Sequence, residues 1–237
     1  MGPPRKLVSQ DEMLLCLMKL RLGLLTTDLS DPFGISEGIC SSIFKSWLRA
    51  LAEYLKCFVY APDLGTIIAT TPERFHQFKN LFAIIDCSEI FIQTPKDLEL
   101  QSATCVAPNS SSIYVSKAFT GRISDKKITL DSKFLDLVLS YTLMGDKGFN
   151  LIEEYVARKI YFITPPGCRG TSQMIASDVS KTSANAKVRI LVEQVTRRLK
   201  NFRIILQEVP ISLIPCIDDI LVVCSALCTF KEPIMTD

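Results

Sequence analysis

One stretch constrains this chain more than any other: Phe82-Ala83-Ile84-Ile85-Asp86-Cys87-Ser88-Glu89-Ile90-Phe91-Ile92. Its β-branched and aromatic residues, closed downstream by Thr94-Pro95, predict a buried central strand. A carboxylate in the middle of such a strand is costly unless a cation, a set of donors or a metal meets it. Asp86 therefore calls for one of these partners.

Apolar residues make up 48% of the 237, and mean hydropathy is +0.25. That is ample for a packed core, and 22% charged residues argue against global disorder. A net charge of +2 with an isoelectric point near 8.0 is too balanced to imply nucleic-acid binding by itself. Locally the balance fails: Lys187, Arg189, Arg197, Arg198, Lys200 and Arg203 surround the single acid Glu193. Nine cysteines lack paired spacing and the N-terminus lacks a signal-type apolar core, which predicts a reducing compartment and free thiols. His76 is the only histidine, which argues against a zinc-finger ligand set. The most apolar segment, 211–230, carries Pro215, Asp218 and Asp219; it is a poor membrane span and predicts a C-terminal core helix.

Residues 10–25 place Leu14, Leu17, Met18, Leu22 and Leu25 at helical spacing. After 28–34, Ser36 is a candidate N-cap for a helix whose apolar face is Ile39, Ile43, Phe44, Trp47, Leu48 and Leu51. Helix, glycine-containing turn and longer helix form a helix-turn-helix pattern, which would turn Gly38, Ser41, Ser42, Lys45 and Arg49 outward. An ordinary helical pair fits the same spacing. Residues 61–79 read as a connector, with a domain boundary near His76 that separates 1–76 from 77–237. Beyond the Asp86 strand, 96–108 reads as polar and irregular, 112–116 as a strand, 121–125 as a loop and 133–140 as a helix. Residues 141–149 suggest a short strand ending at Asp146, an acid between Gly145 and Gly148; a turn acid is the simpler account of it. Residues 160–163 read as a strand and 183–199 as a helix. On that helix Arg189, Glu193 and Arg197 share a face, so spacing alone makes Glu193 a salt-bridged surface acid.

Four motifs then fall in order. They are Ile85-Asp86-Cys87-Ser88-Glu89-Ile90-Phe91-Ile92, Gly121-Arg122-Ile123-Ser124-Asp125-Lys126, Gly145-Asp146-Lys147-Gly148-Phe149, and Arg189-Ile190-Leu191-Val192-Glu193 with Arg198-Leu199-Lys200-Asn201-Phe202-Arg203 after it. Together they resemble the DDE superfamily endonuclease domain of Harbinger-type transposases, and residues 28–47 resemble the helix-turn-helix that precedes it. The resemblance spans about Met13 to Pro233.

It implies an α/β fold: an RNase H-like nuclease core, a mixed sheet flanked by helices, preceded by an all-α helix-turn-helix segment. It implies that Asp86, Asp146 and Glu193 are the catalytic carboxylates and hold a divalent metal cation, Mg or Mn. Such ions prefer oxygen ligands and can serve in-line phosphoryl transfer. The implied substrate is double-stranded DNA, contacted by Ser41 and Lys45 and by Arg197, Arg198 and Lys200, with Asp125 outside the metal set. A nuclear location follows from that substrate, and a homo-oligomer or an accessory DNA-binding protein is the implied partner. No membrane role is expected. The chain also departs from the family: after Thr104 it lacks about one strand and a turn, which predicts a sheet short of one strand and an unpaired ladder beside Asp86. Position 191 is Leu and position 194 is Gln, where relatives more often carry His and Arg. The rival readings are a catalytically inactive, transposase-derived DNA-binding or protein-interaction protein, and a truncated product with a damaged sheet.

Overall fold

A computed structural model describes residues 6–93, 99–120, 123–145, 147–149, 151–164, 194 and 197–231. Helix α1 (Ser9–Leu22) opens on Asp11 and Glu12 and closes on Lys19 and Arg21, the charge order that a helix dipole favours. Gly23 ends it at φ 64°, donating its N–H to the Lys19 carbonyl. Helix α2 (Thr26–Ser30) is one turn, and α3 (Glu37–Leu55) is the long helix of the segment. On α3, Cys40, Phe44, Leu48, Ala52 and Leu55 recur every three or four residues and are buried. Truncating Phe44, 1% exposed, to Ala would cost about 3–5 kcal/mol. Ser36 stands at the N-cap with extended backbone, but its side chain makes no cap bond.

Two polar contacts set how these helices meet. Lys19 is buried; its Nζ donates to Leu24 O at 3.0 Å and Thr26 Oγ1 at 3.2 Å and lies 5.6 Å from the Phe44 ring centre. The ammonium thus satisfies the turn between α1 and α2, and burial lowers its pKa. Trp47 Nε1 donates to Glu12 Oε2 at 2.9 Å, bracing α3 on α1.

The stretch expected as a plain connector contains α4 (Leu64–Thr70), which Asp63 caps by accepting from Thr66 N–H at 3.0 Å. Strand β1 (Leu81–Phe91) follows. It pairs antiparallel with β2 (Glu99–Val106), which pairs antiparallel with β3 (Ser112–Val115) and, at its other end, with β4 (Phe119–Thr120). On its other edge β1 runs parallel to β5 (Thr142–Met144), and β5, after helix α6 (Ile152–Ala157), to β6 (Tyr161–Ile163). The sheet order is therefore β3-β2-β1-β5-β6.

The expected gap in the ladder beside Asp86 is corrected here, because Asp86 lies opposite Thr104 in an unbroken register from Ile84↔Val106 to Phe91↔Glu99. The region read as polar and irregular is β2 itself. Its Ser102 and Thr104 are buried within the sheet, and Ser102 Oγ donates to Ser116 O at 3.1 Å. Ladder pairing on both edges overrides the weak strand propensity of those polar residues. Likewise the expected loop end at 125 starts helix α5 (Asp125–Asp131), and the helix expected over 133–140 is a 3-10 turn, Phe134–Leu137. Lys133 at φ 59° breaks the path between them.

Apolar residues cover both faces of the sheet. On one face Ile90, Ile92 and Leu100 join α1, α3, Leu199, Phe202, α7 (Arg203–Leu206) and α8 (Ile217–Thr229) in one cluster. On the other, Ala83, Ile85, Cys105 and Leu143 pack with Ile67, Phe134, Phe149 and Tyr155. The expected C-terminal core helix is α8, whose Ile220, Leu221, Val223 and Cys224 are fully buried or nearly so. Asp218 at its start accepts from Ala118 N–H at 2.8 Å, which ties the helix to the sheet.

Candidate functional site

Leu81 to Ile85 of β1 are all buried, as befits a strand covered on both sides, and Asp86 and Cys87 are the first half-buried positions. The cause lies in the neighbouring strand. The parallel register ends at Ile84↔Met144, and the next described contact on that edge is Val209, bonded to Phe91 and Gln93. Asp86 thus emerges just beyond the carboxyl end of the parallel neighbour, at the junction of antiparallel and parallel pairing. Ligand sites in open α/β sheets form at such a junction.

By strand alternation Asp86 shares its face with Ser88 and Ile90. Ile90 packs in the cluster that holds Leu199, in the helical residues 197–200. Ser88 Oγ and Gln194 Oε1 are buried and have no hydrogen-bond partner among the described residues. The carboxylate therefore stands on the face toward which the end of the basic segment is packed.

The opposite face carries Cys87. Its thiol pKa is raised by burial first, then by the charge and hydrogen bond of Asp125, with Asp86 adding to the effect. Burial also holds Cys105 protonated. Neither sulfur offers a thiolate at neutral pH. Asp125, the first residue of α5, also lies over Gly148, where a β-carbon would collide with its Oδ2. Gly145 is pressed against β1 in the same way: a β-carbon there would lie 2.8 Å from Ile85 Cγ2 and 3.3 Å from Ile85 O.

Of the sequence-derived site residues, Asp86 is placed as described. Asp146 and Glu193 lie outside the described residues. Among the described residues no group of three His, Cys, Asp or Glu side chains is arranged to hold a metal. Lys45 is exposed on α3 and Ser41 half-buried; Arg197 is exposed, and Arg198 and Lys200 are half-buried. Arg49, expected to point outward, is exposed and close enough to Asp219 to lower that acid's pKa, against the larger upward effect of burial. Arg198, Arg21 and Lys231 all act on the Cys228 thiol, and Arg21 and Lys231 lie 6.0 and 5.5 Å from the Phe202 ring centre. Sequence reading missed Arg21 and Lys231 as members of this basic cluster. They are far apart in the chain and belong to no motif. Asp125 had a signal, its place in the Gly121–Lys126 motif, but no indication of what it touches.

A family model described as "DDE superfamily endonuclease" matches residues 85–229, and one described as "Helix-turn-helix of DDE superfamily endonuclease" matches residues 5–57. No curated protein matches the chain. The mixed sheet flanked by helices, with its N-terminal helical segment, agrees with the RNase H-like core that this match carries.

Proposed function

We propose that this chain, which belongs to the DDE superfamily of endonucleases, is a metal-dependent nuclease of transposase type, of the Harbinger kind, that cuts phosphodiester bonds in double-stranded DNA. The observation that carries the reading is Asp86: a half-buried carboxylate at the sheet junction, inside the matched segment.

The residues fit a hard divalent cation, Mg or Mn. Carboxylates supply oxygen ligands, and Ser88 adds a buried oxygen on the same face that has no hydrogen-bond partner among the described residues. Asp86, Asp146 and Glu193 would hold the cation. When bound, it supplies Lewis acidity and an activated water or hydroxyl for in-line phosphoryl transfer. The remaining work falls to the chain. Arg197, Arg198 and Lys200 neutralise backbone phosphates. Ser41 and Lys45 on α3 engage the duplex in the manner of a second helix in a helix-turn-helix. A nuclear site of action, self-association or an accessory DNA-binding partner, and a division of labour near residue 76 complete the proposal.

The test is Mn²⁺ binding by calorimetry together with nicking of supercoiled plasmid, comparing wild type with Asp86→Ala and Asp146→Ala. Binding and EDTA-sensitive nicking by wild type alone support the reading. Equal behaviour of wild type and both variants overturns it, and DNA binding that persists in EDTA then identifies an inactive, transposase-derived DNA-binding protein.

A further inference from the structure

We propose that Asp125 is a positioning residue: it locks the turn at Gly148 against strand β1 at Cys87, and so holds the two chain segments that carry the first two carboxylates at a fixed separation. The inference rests on the reading above for its functional meaning, but its structural content stands on residues outside the metal set.

The geometry is specific. Asp125 starts α5, and Ser124 caps that helix by accepting from Lys127 N–H at 3.4 Å, which fixes the backbone from which the carboxylate projects. The Thr129 hydroxyl donates to Asp125 O at 2.7 Å, holding the same turn from the other side. From this anchored position the carboxylate reaches two different elements. Toward β1 it meets the thiol of Cys87, the residue next to Asp86. Toward the loop it covers Gly148 so closely that any β-carbon there would clash with Oδ2, with Cγ at 3.4 Å and Cβ at 3.6 Å behind it. Gly148 begins the descent into Phe149, which is 1% exposed in the same cluster as Ile85 and Leu143. The Phe149 ring thus anchors the loop end in the core, and Asp125 lies against its outer side.

A carboxylate in this role acts as a shaped acceptor rather than as a charge. Metal sites require their ligands within a fraction of an ångström of the productive geometry, and outer groups that orient ligands are worth about 10–100-fold in metal affinity. Asparagine has the same shape and keeps an acceptor oxygen, so the conservative variant separates positioning from ligation.

The experiment has two arms on the full chain. Hydrogen exchange of the 145–149 amides, by mass spectrometry on metal-free protein, reads the lock directly. Mn²⁺ calorimetry reads its consequence. Asp125→Ala is expected to speed exchange of 145–149 by about tenfold or more, to leave the β1–β2 amides unchanged, and to weaken Mn²⁺ binding by about tenfold. Asp125→Asn should restore both to within about twofold. Where Asp125→Ala fails to fold, Gly148→Ala breaks the same contact from the loop side and is read by the same exchange. Unchanged exchange in the folded Asp125→Ala or Gly148→Ala variant overturns the proposal. So does loss of Mn²⁺ in Asp125→Asn as complete as in Asp86→Ala, since Asp125 would then be a ligand. If wild type itself binds no Mn²⁺, the nuclease reading has failed, and the exchange arm still decides whether Asp125 holds the loop.

Discussion

Gly145 and Ile85 meet across the β1–β5 pair at a distance that leaves no place for a side chain. A β-carbon on Gly145 would lie 2.8 Å from Ile85 Cγ2, and Phe162 Cζ closes the other side at 3.0 Å. The two strands can approach this closely at the end of their parallel register only because position 145 has no side chain. This contact brings the last described residue before Asp146 directly beside the residue before Asp86.

Gly145→Ala should therefore overpack the junction and destabilise the protein by about 1–3 kcal/mol. Thermal unfolding should show Tm lowered by several degrees. An unchanged Tm would mean that β5 shifts freely away from Ile85.

The Glu12–Trp47 bond offers a second measurement. Glu12 is 7% exposed, and Trp47 is the only tryptophan in the chain. Trp47→Phe removes the indole donor, and the lost bond should lower stability by about 1–3 kcal/mol in urea unfolding. In wild type, indole emission should red-shift in the same transition as helical circular dichroism. A separate, earlier fluorescence transition would show that α1 and α3 come apart before the sheet does.

Asp63 supplies a pH test. Its pKa is lowered below 3.8, chiefly by the hydrogen bonds from the Thr66 hydroxyl and N–H at the start of α4. A depressed folded pKa contributes stability that is fully present above the unfolded value and lost as pH falls through the folded one. The Tm difference between wild type and Asp63→Ala should thus be constant at neutral pH and shrink as pH falls through the carboxylate range. A difference that persists undiminished in acid would assign the stabilisation to the neutral cap alone.

DNA binding should depend on Lys45 through charge. It is exposed on α3, and one phosphate contact contributes about 0.9 to the slope of log affinity against log salt. Lys45→Ala should lower that slope by about this amount in fluorescence-anisotropy titrations. An unchanged slope would remove Lys45 from the DNA-facing surface.

Local pattern and tertiary pairing divided the reading unevenly. The α1 and α3 helices, the Asp86 strand, the strand at 112–115 and the C-terminal core helix are visible in the chain because each carries its own periodicity over enough residues. Strand β2 is not. Ser102 and Thr104 make it look like a loop, and only β1 on one edge with β3 and β4 on the other turn it into an interior strand. The start of α5 was hidden for a similar reason, since its helix is short and depends on the Ser124 cap.

By itself the sequence determined that a buried strand carries an acid, that a helical segment precedes it, and that ordered motifs ally the chain with one endonuclease family. Each of these depends on residue type and near-neighbour spacing. The tertiary structure alone decided that β1 keeps its antiparallel ladder with β2 through Asp86, that this acid emerges where the parallel partner ends, and that Asp125 reaches both Cys87 and Gly148. Those relations join residues distant along the chain through close packing, and separations of that kind leave no periodic trace in a sequence.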